Sequence, residues 1–395
     1  MPRRISNVEE LEIVESSLEL MWRDPAQVAS QWSDAARIDT KLLRYKAHGD
    51  WWDILAESGI TLLVTREYEH LVMAIHAAEN SPTLSYMSLP HPSGLVADRT
   101  SRKVHVASTR NPNQVYDLSP ATASLPRLDS KSEPLTGHPL IPVRSRFYPG
   151  CLYLHDLALI DGDLYANAVG ENSVVRLCDT GSYQRAWLPR CIQERRQGFQ
   201  RNLIQLNSIA PGMNLETSYF SASAEKPSHR RPGHRNYPVD RRGVIFSGKT
   251  REPVIGGLTR PHSARLYQDR LWVDNSGYGE FGFAENGTFM PIVRLPGWTR
   301  GLTFHKRIAF VGTSRVLPRF RQYAPGLNLE RSVCGVHAVD IRSGKVLGSL
   351  IWHYGNQIFA LDWLPSHVTC GFPFRVGVRR ATRREKAFFY TFKTK

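Results

Sequence analysis

The sequence predicts an all-β protein, a six-bladed β-propeller with an N-terminal helical segment, on three observations. A hairpin pattern recurs six times. Several copies are followed by a second hairpin, and the copies begin about 40 to 60 residues apart, the period of a four-stranded blade. Composition agrees, because 10% aromatic residues with 29 Gly and 25 Pro favour short strands and many turns over long helices.

At the start of the chain Ser6 and Glu9 have capping-box spacing, and Leu11, Val14, Leu18 and Met21 follow at helical intervals. A helix over about 7–22 is expected, with a second start at Asp24-Pro25. After "WWDILAESG" the texture changes to short β-rich runs such as "ITLLV" and "HLVMAI". Residues 1–58 are therefore read as the helical segment and 59–372 as the propeller. Residues 373–395 are a basic C-terminal segment that is a candidate for the closing strand.

The repeated units are "PSGLVADRTSRKVHVAST" near Pro92, "HDLALIDGDLYANAVG" at His155, "NSIAP" with "SYFSAS" at Asn207, "HSARLYQDRLWVDNSG" at His262, "RGLTFHKRIAFVGTS" at Arg300, and a shorter "FALDWLP" at Phe359. Aligning their apolar runs puts Ser93, His155, Asn207, His262, Arg300 and Phe359 at one equivalent position, separated by 62, 52, 55, 38 and 59 residues. Second hairpins turn at Asp179 to Gly181, at Asn286-Gly287 and at Ser343-Gly344. Asn-Gly between alternating strands is the strongest short hairpin signal.

In a propeller the innermost strand of each blade starts beside the central channel, and its hairpin returns the second strand to the same end. Polar residues at both ends of each hairpin should then rim one mouth. The expected rim includes His262-Ser263 and Asn275-Ser276, together with Ser93, Thr109, Arg110, His155-Asp156, Asn207, Arg300 and Thr313-Ser314. Two imidazoles, a carboxylate and a guanidinium supply a base, an orienting partner and an anion clamp. His155, His262, Asp156 and Arg300 are accordingly the candidate catalytic set, with Ser93, Arg110, Asn207, Ser263, Asn275 and Ser314 as ligand-binding candidates. Asp156 is not paired with His155 itself, since adjacent strand residues point to opposite faces. The competing role for the whole rim is structural, with these groups bonded to neighbouring blades or to channel water.

Other classes are excluded or disfavoured. Lys plus Arg number 51 against 36 Asp plus Glu, a net charge of +15, concentrated in "SHRRPGHRNYPVDRR" (228–242) and "RVGVRRATRREK" (375–386). No nucleic-acid recognition motif accompanies them, so solvated loop charge is expected, with no sequence-specific nucleic-acid partner. Cys151, Cys178, Cys191, Cys334 and Cys370 are scattered and odd in number, which fits a reducing compartment. Five glutamates interrupt the first 22 residues, where a signal peptide needs an apolar core, and no run approaches the roughly 18 apolar residues of a membrane span. A cytoplasmic protein with no membrane partner is expected. "GYGEFG" has the wrong spacing for a dinucleotide loop, and neither G-x-S-x-G nor H-E-x-x-H occurs.

From "WWDILAESGITLLVT" through "HDLALIDGDLYA", "RPHSARLYQDRLWVDNSGYGEFG", "LPGWTRGLTF" and "CGVHAVDIRSGKV", about residues 51–365, the chain resembles an uncharacterised bacterial propeller family, a domain of unknown function. More distantly the blade pattern is similar to the gluconolactonase and strictosidine-synthase class of six-bladed propellers. That resemblance implies one divalent metal ion in the central channel, held in such proteins by Glu, Asn and Asp. Glu67 and Asn207, with His155 and His262, are the candidate ligands here, although no "N-x-x-D-G" context occurs at the later blade. Two functions stay open: a small-molecule enzyme of hydrolase or lyase type acting on a polar or anionic substrate, and a non-catalytic propeller that binds a protein or glycan partner.

Overall fold

The computed structural model describes residues 13–14, 35, 38–78, 81–109, 113–125, 135, 137–150, 152–193, 202–230, 232–376 and 392–394. Their strands form six antiparallel sheets in a ring, a six-bladed β-propeller. Named from the innermost strand outward, blade II is Pro92–Asp98, Lys103–Ser108, Asn113–Ser124 and Leu140–Tyr148, and blade III is Leu154–Ile160, Asp163–Ala168, Ser173–Leu177 and Tyr183–Trp187. Blade IV runs Leu206–Ala210, Tyr219–Ala222, Gly243–Ser247 and Pro253–Leu258, and blade V runs Pro261–Tyr267, Arg270–Asn275, Glu280–Glu285 and Thr288–Arg294. Blade VI comprises Trp298–His305, Ile308–Ser314, Cys334–Asp340 and Val346–Trp352.

Blade I closes the ring. Its innermost strand, Leu361–Pro365, pairs with Ile60–Arg66, which is followed outward by Leu71–Ala78 and Ser81–Ser88. The "FALDWLP" unit thus completes its blade with strands from the start of the propeller, 295 residues earlier in the case of the Ala360 N–H bond to Thr65 Oγ1. Closure therefore falls to this strand and not to 373–395. From that segment Phe374–Arg375 pairs on the outer edge of blade I and Phe392–Thr394 against the long strand of blade II.

The expected helix over about 7–22 is described only at Ile13–Val14, which form a two-residue strand against Tyr183–Gln184 on the outer edge of blade III. An edge strand offers unpaired N–H and C=O groups that recruit a passing chain. The rest of that helix and the start at Asp24-Pro25 lie outside the described residues. Before the propeller, Tyr45–Gly49 adds a fifth strand to blade VI and Trp51–Ser58 forms a helix ended by Gly59 in the left-handed conformation. Trp51 and Leu55 bury that helix between blades VI and I.

Both faces of every blade are covered. Six apolar clusters lie one at each junction between neighbouring blades, for example Trp187, Phe220 and Phe246 between III and IV, and Trp272, Phe281 and Phe304 between V and VI. The continuous apolar runs of the inner strands follow from this two-sided burial. Between the inner strands of blades II and III no side chain fits at Gly94, where a Cβ would lie 2.7 Å from the backbone of Asp156 and Leu157.

Candidate ligand site at the channel mouth

The innermost strands of blades II to VI share a local irregularity at one place. Their register with the second strand shifts immediately around or after the aligned position, in steps that begin at Pro92, Leu154, Leu206, His262 and Thr299. Bulges of this kind re-aim side chains. Ser263 and Gly301 carry positive φ of 54° and 88° within theirs.

The aligned residues converge. Arg300 Nη2 donates to His155 Nε2 at 2.7 Å, and the His155 and His262 rings meet edge to face at 5.0 Å. Phe359 lies beneath both histidines, at 4.9 and 5.9 Å, and the Arg300 guanidinium sits 3.5 Å from the centre of its ring. His155, Asn207, His262 and Arg300 all line a cavity of about 310 Å³. Asn207 is held by Nδ2–H bonds to Ser223 Oγ and the Pro261 carbonyl.

A second tier above this one was not singled out from the sequence. Tyr153, Gln205, Arg260, Trp298 and Gln357, each two residues before an aligned position, also line the cavity. The signal was present in the repeat alignment, because alternate residues of a strand share a face. What conceals it is backbone: Tyr153, Gln205 and Arg260 are in the left-handed region at φ of 55°, 52° and 55°. Such conformations are costly outside glycine and concentrate at functional sites.

The electrostatics are unusual. Arg260 and Arg300 are both buried, and among the described residues neither forms an ion pair with a carboxylate. Arg260 donates to Gln205 Oε1 at 2.8 Å and stacks 4.3 Å over Tyr323. Burial, opposed by Tyr323 and reinforced by the Arg300 charge, lowers its pKa to about 10. Burial also lowers that of Arg300. Desolvation and then the Arg300 charge hold both histidines well below the usual imidazole range, so they are neutral. Since His155 Nε2 accepts from Arg300, its proton is on Nδ1. Among the described residues His155 Nδ1, His262 Nε2 and Arg300 Nε have no hydrogen-bond partner.

The remaining sequence candidates divide. Ser314 lines the cavity, but its hydroxyl is engaged with the Ile358 backbone, and Glu67 lines it while accepting from Thr109 Oγ1 at 2.5 Å. Ser93 is a strut between blades II and III, donating to the Leu154 carbonyl. Asn275 caps Thr259 and Glu280 within blade V. Ser263 Oγ sits behind His262, 3.0 Å from Nδ1, and accepts the Gly301 N–H. Asp156 points away from the mouth into a buried ion pair with Arg265 at 2.9 Å and also accepts the Ile209 N–H. Arg110 lies outside the described residues.

The metal set does not assemble. Among the described residues no three His, Cys, Asp or Glu side chains are placed to share an ion. A guanidinium occupies the lone pair of His155 that a metal would need.

The model of the family described as "Domain of unknown function (DUF4915)" matches residues 49–371. The chain belongs to the DUF4915 family. No curated protein matches it in sequence. Among solved structures, a chain of a nidogen/laminin complex superposes with a TM-score of 0.48 at 9% identity, over 77% of this chain and 98% of that one. A gluconolactonase from Xanthomonas campestris gives 0.42 at 13% identity over 75% and 86%. A putative 6-phosphogluconolactonase from Bacteroides uniformis gives 0.41 at 12% over 77% and 99%. The likeness of this DUF4915 chain to these proteins is in the course of the backbone and says nothing of its chemistry. No helix among its described residues is long and apolar enough to cross a membrane.

Proposed function

We propose that this DUF4915 propeller is an enzyme acting on a small anionic substrate at the channel mouth, with Arg300 and Arg260 as the anion clamp and His262 as the proton-transfer residue. The observation that carries this reading is the pair of buried guanidiniums, free of carboxylate partners, beside two neutral imidazoles with unpartnered ring nitrogens. Two buried guanidiniums that form no ion pair are unfavourable side by side, with Glu67 acting on Arg300 only through space, and an oxyanion between them makes short charge-assisted hydrogen bonds in a partly desolvated site. The cavity has the dimensions of a small-molecule site.

Anion binding and base strength are coupled here. The Arg300 charge is one cause of the low His262 pKa. A bound anion screens that charge, so the imidazole becomes more basic when substrate is present. His262 then takes a proton at Nε2 while Ser263 Oγ holds Nδ1. This is proton-transfer chemistry of hydrolase or lyase type that needs no metal ligand set.

The test is thermal melting of the full chain in inorganic phosphate or acetate, against chloride at matched ionic strength. Phosphate and acetate should raise the Tm of the wild type and have no effect on Arg300→Met or Arg260→Met. Equal Tm in all salts would overturn the proposal.

A further inference from the structure

One wall of the cavity is unlike the rest. The insertion between the second and third strands of blade VI carries a short 3-10 helix, Pro318–Tyr323, whose Phe320 and Tyr323 rings stack at 5.7 Å. Both face Trp298 of the outer tier, at 6.5 and 6.4 Å. The wall is anchored: Tyr323 is buried in the cluster between blades III and IV, and the insertion is tied down by Val316 N–H to Ser332 Oγ and by Gly326 N–H to the Gly277 carbonyl. Trp298 Nε1 is buried without a partner among the described residues.

Three rings and a cationic floor meet in one cavity, with Arg260 linking them through its stack on Tyr323. A hydrated inorganic anion would satisfy the guanidiniums but leave the part-exposed Trp298 and Phe320 rings against water. A planar unsaturated body stacks on such rings with a gain beyond its area burial. Arg260 stacks on Tyr323 and spends Nη1 on Gln205 and Ser223, so the Nε and Nη2 edge of its guanidinium is the one that faces an oxyanion in a fork geometry.

We infer that the substrate is an aryl oxyanion, a carboxylate or phosphate ester carried on a planar aromatic body, with the anionic group at Arg300 and Arg260 and the ring against Trp298, Phe320 and Tyr323. This rests on the anion-site reading above. It adds to that reading the class of molecule, and it gives the blade VI insertion the role of specificity element.

Calorimetric titration of the full chain with benzoate against acetate, and with phenyl phosphate against inorganic phosphate, tests it and separates the two anionic groups. The aryl member of at least one pair should bind tenfold or more tightly than its simple counterpart. Phe320→Ala should erase most of that ratio while leaving the affinity for the simple anion within about twofold. Phe320→Leu, which keeps volume but not the ring, should do the same and guards against a collapsed insertion. Equal affinities within both pairs, or a preference that survives both variants, would overturn the aryl assignment and leave the anion site standing. Absence of binding by all four anions would overturn both.

Discussion

Arg300 of blade VI and His155 of blade III, 145 residues apart in the chain, are joined by a 2.7 Å hydrogen bond across the channel. A guanidinium cannot accept, so the imidazole must, and the pair fixes a neutral His155 with its proton on Nδ1. Replacing Arg300 by Met removes both the donor and one of the charges that depress the two histidines. The expected outcome is a rise in the His155 and His262 pKa values, seen in histidine-selective NMR titration. Tm should stay within a few degrees, since Arg300 forms no ion pair and the buried Glu67 carboxylate keeps its hydrogen bond from Thr109. Unchanged titration curves would show that burial alone sets the histidines.

Close packing of the inner strands makes Gly94 a sensitive position. Its Cβ would meet the Asp156 and Leu157 backbone at 2.7 Å, and backbone cannot move aside as a flexible side-chain end can. Gly94→Ala should cost roughly 1–3 kcal/mol, as overpacking typically does. Urea unfolding measures it, and a variant as stable as the wild type would mean that the channel is wider than described.

Acid should weaken the fold through its buried histidines. Burial pushes His337 down to about 4, while the unfolded chain titrates near the usual 6.5. The unfolded chain binds the proton first, so this contribution is complete above about 6.5 and is lost as pH falls toward about 4, at up to about 1.4 kcal/mol per pH unit for each histidine. His155 and His262 act in the same direction. Asp274, whose buried carboxyl is pushed well above its usual range, acts oppositely. The check is therefore a difference: His262→Gln should lose less stability than the wild type between about pH 7 and pH 5. Parallel losses would count against a buried, neutral His262.

The basic insertion of blade IV reaches the same mouth. Pro232 and Gly233 line the cavity, flanked by exposed Arg230, His234 and Arg235. Charges at a cleft rim chiefly alter association rates and their salt dependence. Arg230→Glu with Arg235→Glu should slow association of phenyl phosphate several-fold at low salt in stopped-flow traces, with the gap closing at high salt. An unchanged rate would return these residues to plain surface charge.

Chelation bears on the missing metal set. Prolonged treatment with EDTA should leave both Tm and the anion-induced rise in Tm unchanged, because Arg300 holds the His155 lone pair. Loss of either after chelation, with recovery on adding back a divalent ion, would revive the channel metal.

Much of this molecule was legible in one dimension. Turn residues and period-two alternation are local, so the hairpins, the blade period and the aligned set from Ser93 to Phe359 could be read directly, and His155, Asn207, His262, Arg300 and Phe359 do meet at one mouth. The same period-two rule separates His155 from Asp156, which the ion pair with Arg265 bears out. Three things needed the folded ring. Blade I takes its inner strand from Leu361–Pro365, a pairing across some 300 residues that no local signal encodes. Left-handed backbone at Tyr153, Gln205 and Arg260 accompanies a second tier on the cavity wall, and φ is not visible in residue identity where glycine is absent. Finally, whether a polar rim residue is a strut like Ser93 or an unpartnered group like His262 Nε2 depends on which atoms neighbouring blades bring within hydrogen-bond reach, a matter of ångströms between strands distant in sequence.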